Sequence, residues 1–248
     1  MRALPILVVK VGTSTLLTRS DRPSKTFDYV AESIRDLRVT YRIVLVTSGA
    51  IGFGVTQLGL EDRPETPAEL QALSMMGQVG LLRRWREAFG DVAIGQVLVT
   101  RRDLERDSTA MLFRQSVEAV WRYGAIPIVN ENDAVSTEEI SFGDNDRLAA
   151  EVATEMKAKR LILLTDQDGI MEHFGTDAAR RLEKISLEEA AKHIRSSKTT
   201  LGTGGARSKL TAARVALRGG VKVVIAHAAT PRAIESSLSG KAGTNIVE

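Results

Sequence analysis

Six short apolar runs rich in β-branched residues punctuate the chain at residues 6–11, 43–47, 92–99, 126–129, 161–164 and 221–226, with longer stretches of helical period between them. Continuous apolar runs of this length suit strands buried on both faces, as in a parallel sheet covered by helices. Strand, helix, strand in succession requires a crossover at each step, which lays the helices on the two faces of the sheet. Val30, Ile34 and Leu37 keep helical spacing after the first run, and Leu210, Ala213 and Leu217 keep it before the last. The expectation is an α/β fold with a mostly parallel central sheet. Pro67 suits the first turn of a long helix ending near Gly90, and Ser186-x-x-Glu189 reads as a capping box.

A chain of 248 residues can bury one sizeable core, and no repeat or Pro/Ser-rich linker divides it, so one domain over residues 1–248 is expected. Aromatic residues are only 4% of the chain, which leaves Val, Ile, Leu and Ala to fill the interior. The formal charge of +3 comes from basic residues interleaved with acidic ones, so no nucleic-acid partner is expected. The densest basic spot, Arg83-Arg84-Trp85-Arg86, falls inside a helical pattern and reads as a solvated face. With no cysteine, disulfides, thiolate catalysis and Cys-ligated zinc are excluded. The N-terminal run lacks a small-residue cleavage site and reads as a buried strand rather than a signal peptide. No apolar run approaches the length of a membrane span, and a cytoplasmic location is expected.

The candidate chemistry sits where apolar runs end. Lys10 closes the first run ahead of a Gly12-Thr13-Ser14 turn, a place where strand ends of an open α/β sheet receive ligands. Two readings stand: a lysine that meets a phosphate, or one that snorkels above a plain turn. Ser48-Gly49-Ala50 ends the second run, as an N-cap with close-packing glycine or as a second anion-binding turn. Asn130-Glu131-Asn132-Asp133 and Gly143-Asp144-Asn145-Asp146 bracket a charged stretch, 135–142, that reads as a hairpin or flap over a substrate. Their amides and carboxylates offer donors to a carboxylate and acceptors to an ammonium group. Thr165-Asp166 ends the fifth run. The stretch from Gly202 to Lys209 reads as a glycine-rich loop feeding a helix, with Lys209 in its first turn. A lysine there conflicts with the helix dipole unless a phosphate is bound. The G-x-x-x-x-G-K-[ST] and G-x-G-x-x-G patterns and the protein-kinase signatures are missing. His173, His193 and His227 lack metal-ligand spacing and read as structural or surface residues.

In this order, Val9-Lys10-Val11-Gly12-Thr13-Ser14, Val46-Thr47-Ser48-Gly49-Ala50, Val129-Asn130-Glu131-Asn132-Asp133, Gly143-Asp144-Asn145-Asp146, Leu164-Thr165-Asp166 and Gly202-Thr203-Gly204-Gly205 resemble the glutamate 5-kinase branch of the amino acid kinase family. The resemblance runs through essentially the whole chain. It implies a three-layer αβα sandwich in which ATP gives its γ-phosphoryl group to the side-chain carboxylate of L-glutamate, the first step toward proline. On the matching positions, Ser48, Asp133 and Asn145 would bind glutamate. Lys10 and Lys209 would contact the transferring phosphoryl group, with Asp146 holding both lysines. Thr165, Asp166 and the stretch Thr203, Gly204, Gly205, Ala206, Arg207, Ser208 and Lys209 would line the nucleotide site. Backbone N–H groups at Gly12 and Gly49 would complete the phosphate cradle.

The resemblance further implies Mg²⁺ accompanying ATP without a dedicated protein ligand set, a homo-oligomer, and proline as an inhibitor. Many bacterial members carry an additional C-terminal PUA domain, and this chain is expected to be the kinase domain without it. The rivals are a kinase of the same fold acting on acetylglutamate, a carbamate or a nucleoside monophosphate, and a non-catalytic sensor of amino acid or nucleotide. Against the sensor stand Lys10, Asp146 and Lys209 together, because affinity alone needs no phosphoryl-transfer constellation.

Overall fold

The computed structural model describes residues 3–17, 23–136, 145–173, 175–196 and 203–248. The chain runs β1 (Ile6–Val11), α1 (Thr13–Leu16), α2 (Thr26–Leu37), β2 (Arg42–Thr47), α3 (Ala50–Leu58), α4 (Pro67–Phe89), β3 (Ile94–Val99), α5 (Arg101–Glu105), α6 (Asp107–Arg122) and β4 (Ile126–Glu131). It continues through α7 (Asp146–Glu155), β5 (Arg160–Thr165), a small pair β6 (Met171–Glu172) and β7 (Arg180–Arg181), β8 (Lys184–Ser186), α8 (Leu187–Ser196), α9 (Thr203–Arg218), β9 (Lys222–His227), α10 (Ala233–Leu238) and β10 (Thr244–Val247).

The main sheet has the order β3-β4-β2-β1-β5-β9-β10-β8. Six strands from β3 to β9 are parallel, so their carboxyl ends share one edge. β1 lies at the reversal: the chain moves from it to β2 on one side and later returns to β5 on the other. Open α/β sheets bind ligands at such a switch point, outside the carboxyl ends.

Side chains alternate between two helical layers with period two. Leu7, Val9, Val11, Leu45, Ile128 and Ile162 face α2, α4 and α10, where Phe27, Ile34, Leu81, Trp85 and Ile234 complete a core. Val8, Val44, Val46, Val129, Leu161 and Leu163 face the other way, onto Phe113 and Val117 of α6, Leu148 and Val152 of α7, and Ala212, Ala213 and Ala216 of α9. The result is the αβα sandwich. The few aromatics are concentrated, with Trp85 packed against Phe27 and Phe89 at centroid distances of 4.5 and 5.9 Å.

Local signals act where they were expected. Thr66 accepts from the Glu69 N–H, Pro67 opens α4, and Gly90 ends it at φ 61°. Ser186 and Glu189 exchange capping bonds at the start of α8. The basic spot divides. Arg83 is exposed, Arg84 pairs with Asp28 at 2.7 Å, and Trp85 is wholly buried. β10 is antiparallel to β9, a closing strand that the apolar runs do not announce. Of the expected flap, Val135 and Ser136 fall within the described residues and 137–144 lie outside them. No helix among the described residues is long and apolar enough to cross a membrane.

Candidate active site

Lys10 occupies a strand position flanked by Val46 and Leu163 and is only 2% exposed. An ammonium group cannot stay charged there without a partner. Asp146, the first residue of α7 and fully buried, supplies it: Lys10 Nζ lies 2.6 Å from Asp146 Oδ1. The start of a helix is a favourable place for a carboxylate. Lys209 reaches the other oxygen of the same group, its Nζ donating to Asp146 Oδ2 at 3.0 Å. Two ammonium groups therefore share one carboxylate at the carboxyl edge of the sheet. A Cβ on Gly12 would come within 3.3 Å of Lys10 Nζ, so glycine keeps the backbone beside that ammonium uncrowded.

Lys209 is not in a first turn after a loop. α9 begins at Thr203, so Thr203 to Lys209 is helical and Lys209 stands in the second turn. Its charge is set against Asp146 rather than against the helix dipole. Gly205, in the first turn, has open space where a side chain would stand. Gly202 lies outside the described residues. Thr165 and Asp166 close β5, with Thr165 Oγ1 donating to Asp166 Oδ1 at 3.1 Å and the Thr165 carbonyl accepting from the Ala228 N–H at 2.7 Å. That leaves Asp166 exposed at the mouth of the sheet edge.

On the other side of β1 the turn after β2 is shaped by Gly49, whose φ of 112° disfavours any residue with a Cβ, although a Cβ would meet nothing closer than 3.8 Å. Ser48 is buried and its Oγ has no hydrogen-bond partner among the described residues. Asn145 Nδ2 donates to the Thr47 carbonyl and to Asn130 Oδ1, both at 2.6 Å, joining the start of α7 to the ends of β2 and β4. Asp133 is held from a third direction, accepting from Ser74 of α4 at 2.7 Å.

Two carboxyls on this side are shifted upward. Burial pushes Glu131 to about 7, with the neighbouring Asp133 charge adding to the rise and Ser136 and Arg101 opposing it. Burial also raises Asp133, against the Ser74 hydrogen bond and the Arg63 charge. Glu131 reads in the sequence only as part of the Asn130–Asp133 turn, with no role of its own, and Ser74 and Gln78 are not singled out there. Gln71, Ser74 and Gln78 recur at helical spacing on α4 and all face the segment 130–136. That spacing is shared by any solvated helix face, so it does not distinguish them in the sequence.

Among the described residues no three His, Asp or Glu side chains come together as a metal cage. A cleft of about 520 Å³ between α8 and the end of α9 lies at the opposite edge of the sheet and contains none of the candidate residues.

The sequence model of the amino acid kinase family matches residues 5–227. A glutamate 5-kinase of Gloeobacter violaceus is 41% identical over 244 residues, covering 95% of this chain and 66% of the relative. One of Clostridium acetobutylicum is 37% identical over 241 residues, covering 94% and 90%. The chain thus spans about two thirds of the length of the first relative and nearly all of the second. Among solved structures, carbamate kinase from Giardia lamblia bound to AMP-PNP superposes with a TM-score of 0.69 at 17% identity, covering 100% of this chain and 99% of that one. UMP kinase from Ureaplasma parvum gives 0.67 at 14%, with full coverage of both chains. These two likenesses are of fold.

Proposed function

The chain belongs to the amino acid kinase family, and we propose that it transfers the γ-phosphoryl group of ATP to the side-chain carboxylate of L-glutamate, giving L-glutamyl 5-phosphate and ADP. The observation that carries the reading is the cluster Lys10–Asp146–Lys209, two ammonium groups on one buried carboxylate, joined at the start of α7 to the amide at the end of β4 and the carbonyl at the end of β2. The length and identity of the match to glutamate 5-kinases support the choice of acceptor.

In this reading the acceptor carboxylate is already ionised near neutral pH, so no general base is required. Its oxygen forms the new bond to phosphorus as the bond to the ADP oxygen breaks. The work left to the protein is to align two anions and to neutralise the charge on the equatorial oxygens. Lys10 and Lys209 take the second task, each held by one oxygen of Asp146. Backbone N–H groups at Gly12 and Gly49 complete the cradle. Ser48, Asp133 and Asn145 position glutamate, with Asp133 on its ammonium group. Thr165, Asp166 and the residues Thr203 to Lys209 border the nucleotide.

Mg²⁺ would be carried mainly by the nucleotide's phosphates and would add to the charge neutralisation. The reading carries with it a cytoplasmic location, a homo-oligomer and inhibition by proline.

The test is ATP consumption with L-glutamate in hydroxylamine, which converts an acyl phosphate to a hydroxamate. γ-Glutamyl hydroxamate should form from L-glutamate, with little product from N-acetylglutamate. Equal turnover of the acetylated compound would overturn the assignment of the acceptor.

A further inference from the structure

Three amides in the acceptor pocket are wired in one direction. Asn145 Nδ2 donates to the Thr47 carbonyl, which fixes the orientation of that amide, and the same nitrogen donates to Asn130 Oδ1. Asn130 Oδ1 also accepts from the Glu131 N–H at 3.0 Å, so the Asn130 nitrogen must point away, and it donates to Gln78 Oε1 at 2.9 Å. A carbonyl oxygen cannot take the place of a donor in this chain without setting two like groups against each other. The wiring therefore leaves Gln78 with its Nε2 as the terminal donor.

That nitrogen is buried and has no acceptor among the described residues, and the same is true of Ser48 Oγ. Buried donors of this kind call for a partner. Both adjoin this relay. Ser48 follows Thr47, the residue that anchors the relay, and Gly77, next to Gln78, lets α4 approach so closely that a Cβ there would overlap the Ala50 carbonyl and the Gly54 nitrogen.

We infer that Gln78 Nε2 and Ser48 Oγ together bind the α-carboxylate of the acceptor amino acid, making Gln78 a specificity-determining residue. The inference rests on the proposed function. In that reading the side-chain carboxylate faces Lys10 and Lys209 and the ammonium group faces Asp133, which leaves the α-carboxylate as the one polar group still needing donors. An amide and a hydroxyl, both neutral, suit an anion that must be held without competing with the lysines for the phosphoryl group.

The test compares Gln78→Leu and the isosteric Gln78→Glu with wild type, varying L-glutamate at saturating Mg·ATP, with thermal unfolding to confirm that each variant is folded. Loss of one hydrogen bond to a charged group should raise the KM for glutamate by about tenfold to a hundredfold in Gln78→Leu, and further in Gln78→Glu, where a carboxylate opposes the ligand. The kcat and the KM for ATP should change less than about threefold, since the contact persists from ground state to transition state. A wild-type KM for glutamate in a folded variant would overturn the inference, as would a fall in kcat that matches the change in kcat/KM, which would put Gln78 on the reacting carboxylate. If Gln78→Leu does not fold, Gln78→Glu decides alone. If wild-type protein binds glutamate by calorimetry without phosphorylating it, the contrast is read on Kd. Absence of both binding and turnover in wild type would reject the functional reading itself, and this inference with it.

Discussion

Trp85 Nε1 donates to Thr47 Oγ1 at 3.0 Å, with both side chains wholly buried. The bond ties the acceptor turn after β2 to the aromatic cluster beneath the sheet, so the position of Ser48 depends on the core. Trp85→Phe should keep the ring packing but lose the donor and part of the volume, lowering stability by about 2–3 kcal/mol in urea unfolding. The KM for glutamate should rise with it. Unaltered stability would show that the indole nitrogen contributes nothing.

Asp146→Asn removes the charge that two buried or nearly buried lysines share. Breaking a buried ion pair from one side leaves an uncompensated charge, and the expected loss is about 3 kcal/mol of unfolding free energy. Phosphoryl transfer should be lost as well. A variant as stable as wild type in urea, with normal turnover, would remove Asp146 from the role given to it.

Asp133→Asn and Lys209→Met should separate cleanly in steady-state kinetics. In the proposed reading Asp133 faces the ammonium group, whose charge does not change during the reaction, so its loss should mainly raise the KM for glutamate. In the same reading Lys209 faces charge that redistributes as the phosphoryl group moves, and its replacement should lower kcat by about a hundredfold or more. A change confined to the KM for glutamate in Lys209→Met would contradict the arrangement of nucleotide and acceptor on opposite sides of the site.

Glu131 gives a pH dependence whose sign is fixed. Its carboxyl is raised from an ordinary 4.5 to about 7, so between those values the native state keeps a proton that the unfolded chain has released. Stability from this group therefore falls as pH rises through that window and is level above it. Glu131→Gln should abolish that part of the slope in unfolding measured across the window. In the proposed reading, with Asp133 on the substrate ammonium group, a neighbouring ionised Glu131 would also favour that ammonium. The KM for glutamate should accordingly fall as pH rises past about 7 in wild type, and this dependence should be weaker in Glu131→Gln.

Gly77→Ala puts a methyl group against the backbone of α3, where no flexible side chain can move aside. The helices must separate, at a cost of about 3 kcal/mol, and Gln78 and Ser74 move with α4. Loss of stability accompanied by weaker glutamate binding is the expected result. Wild-type thermal unfolding would mean that the contact between α3 and α4 is looser than the geometry indicates.

The sheet was legible because its inner strands are buried on both faces, and unbroken apolar runs such as Ile6 to Val11 have few other uses. Lys10 stood out for the same reason, as a charge set inside such a run. β8 and β10 were hidden by brevity, three and four residues with only Ile185 and Ile246 fully committed to the core. The Thr-Gly-Gly sequence suggested a loop because glycine is a poor helix former, yet those residues lie in the first turn of α9. The polar stripe of α4 could not be told from a solvated one. Gln71, Ser74 and Gln78 have the spacing of any polar helix face, and only the fold reveals that segment 130–136 lies across it. The short sequence patterns picked out Lys10, Asp146 and Lys209, which the fold brings together, and passed over Ser74 and Gln78.

The pairing of Lys10 with Asp146 has a consequence for how the chain acquires its structure. β1 is synthesised first and lies at the centre of the sheet, but the carboxylate that makes its lysine tolerable arrives only after more than half the chain has been made. Until α7 docks, the half containing β1 to β4 must either leave Lys10 in contact with water or bury it uncompensated. The first keeps the nascent sheet open along the edge that β5 will occupy, and long-range closure of this kind is slow. An order of assembly follows: the central strand is sealed only when its second neighbour and its counter-charge come together.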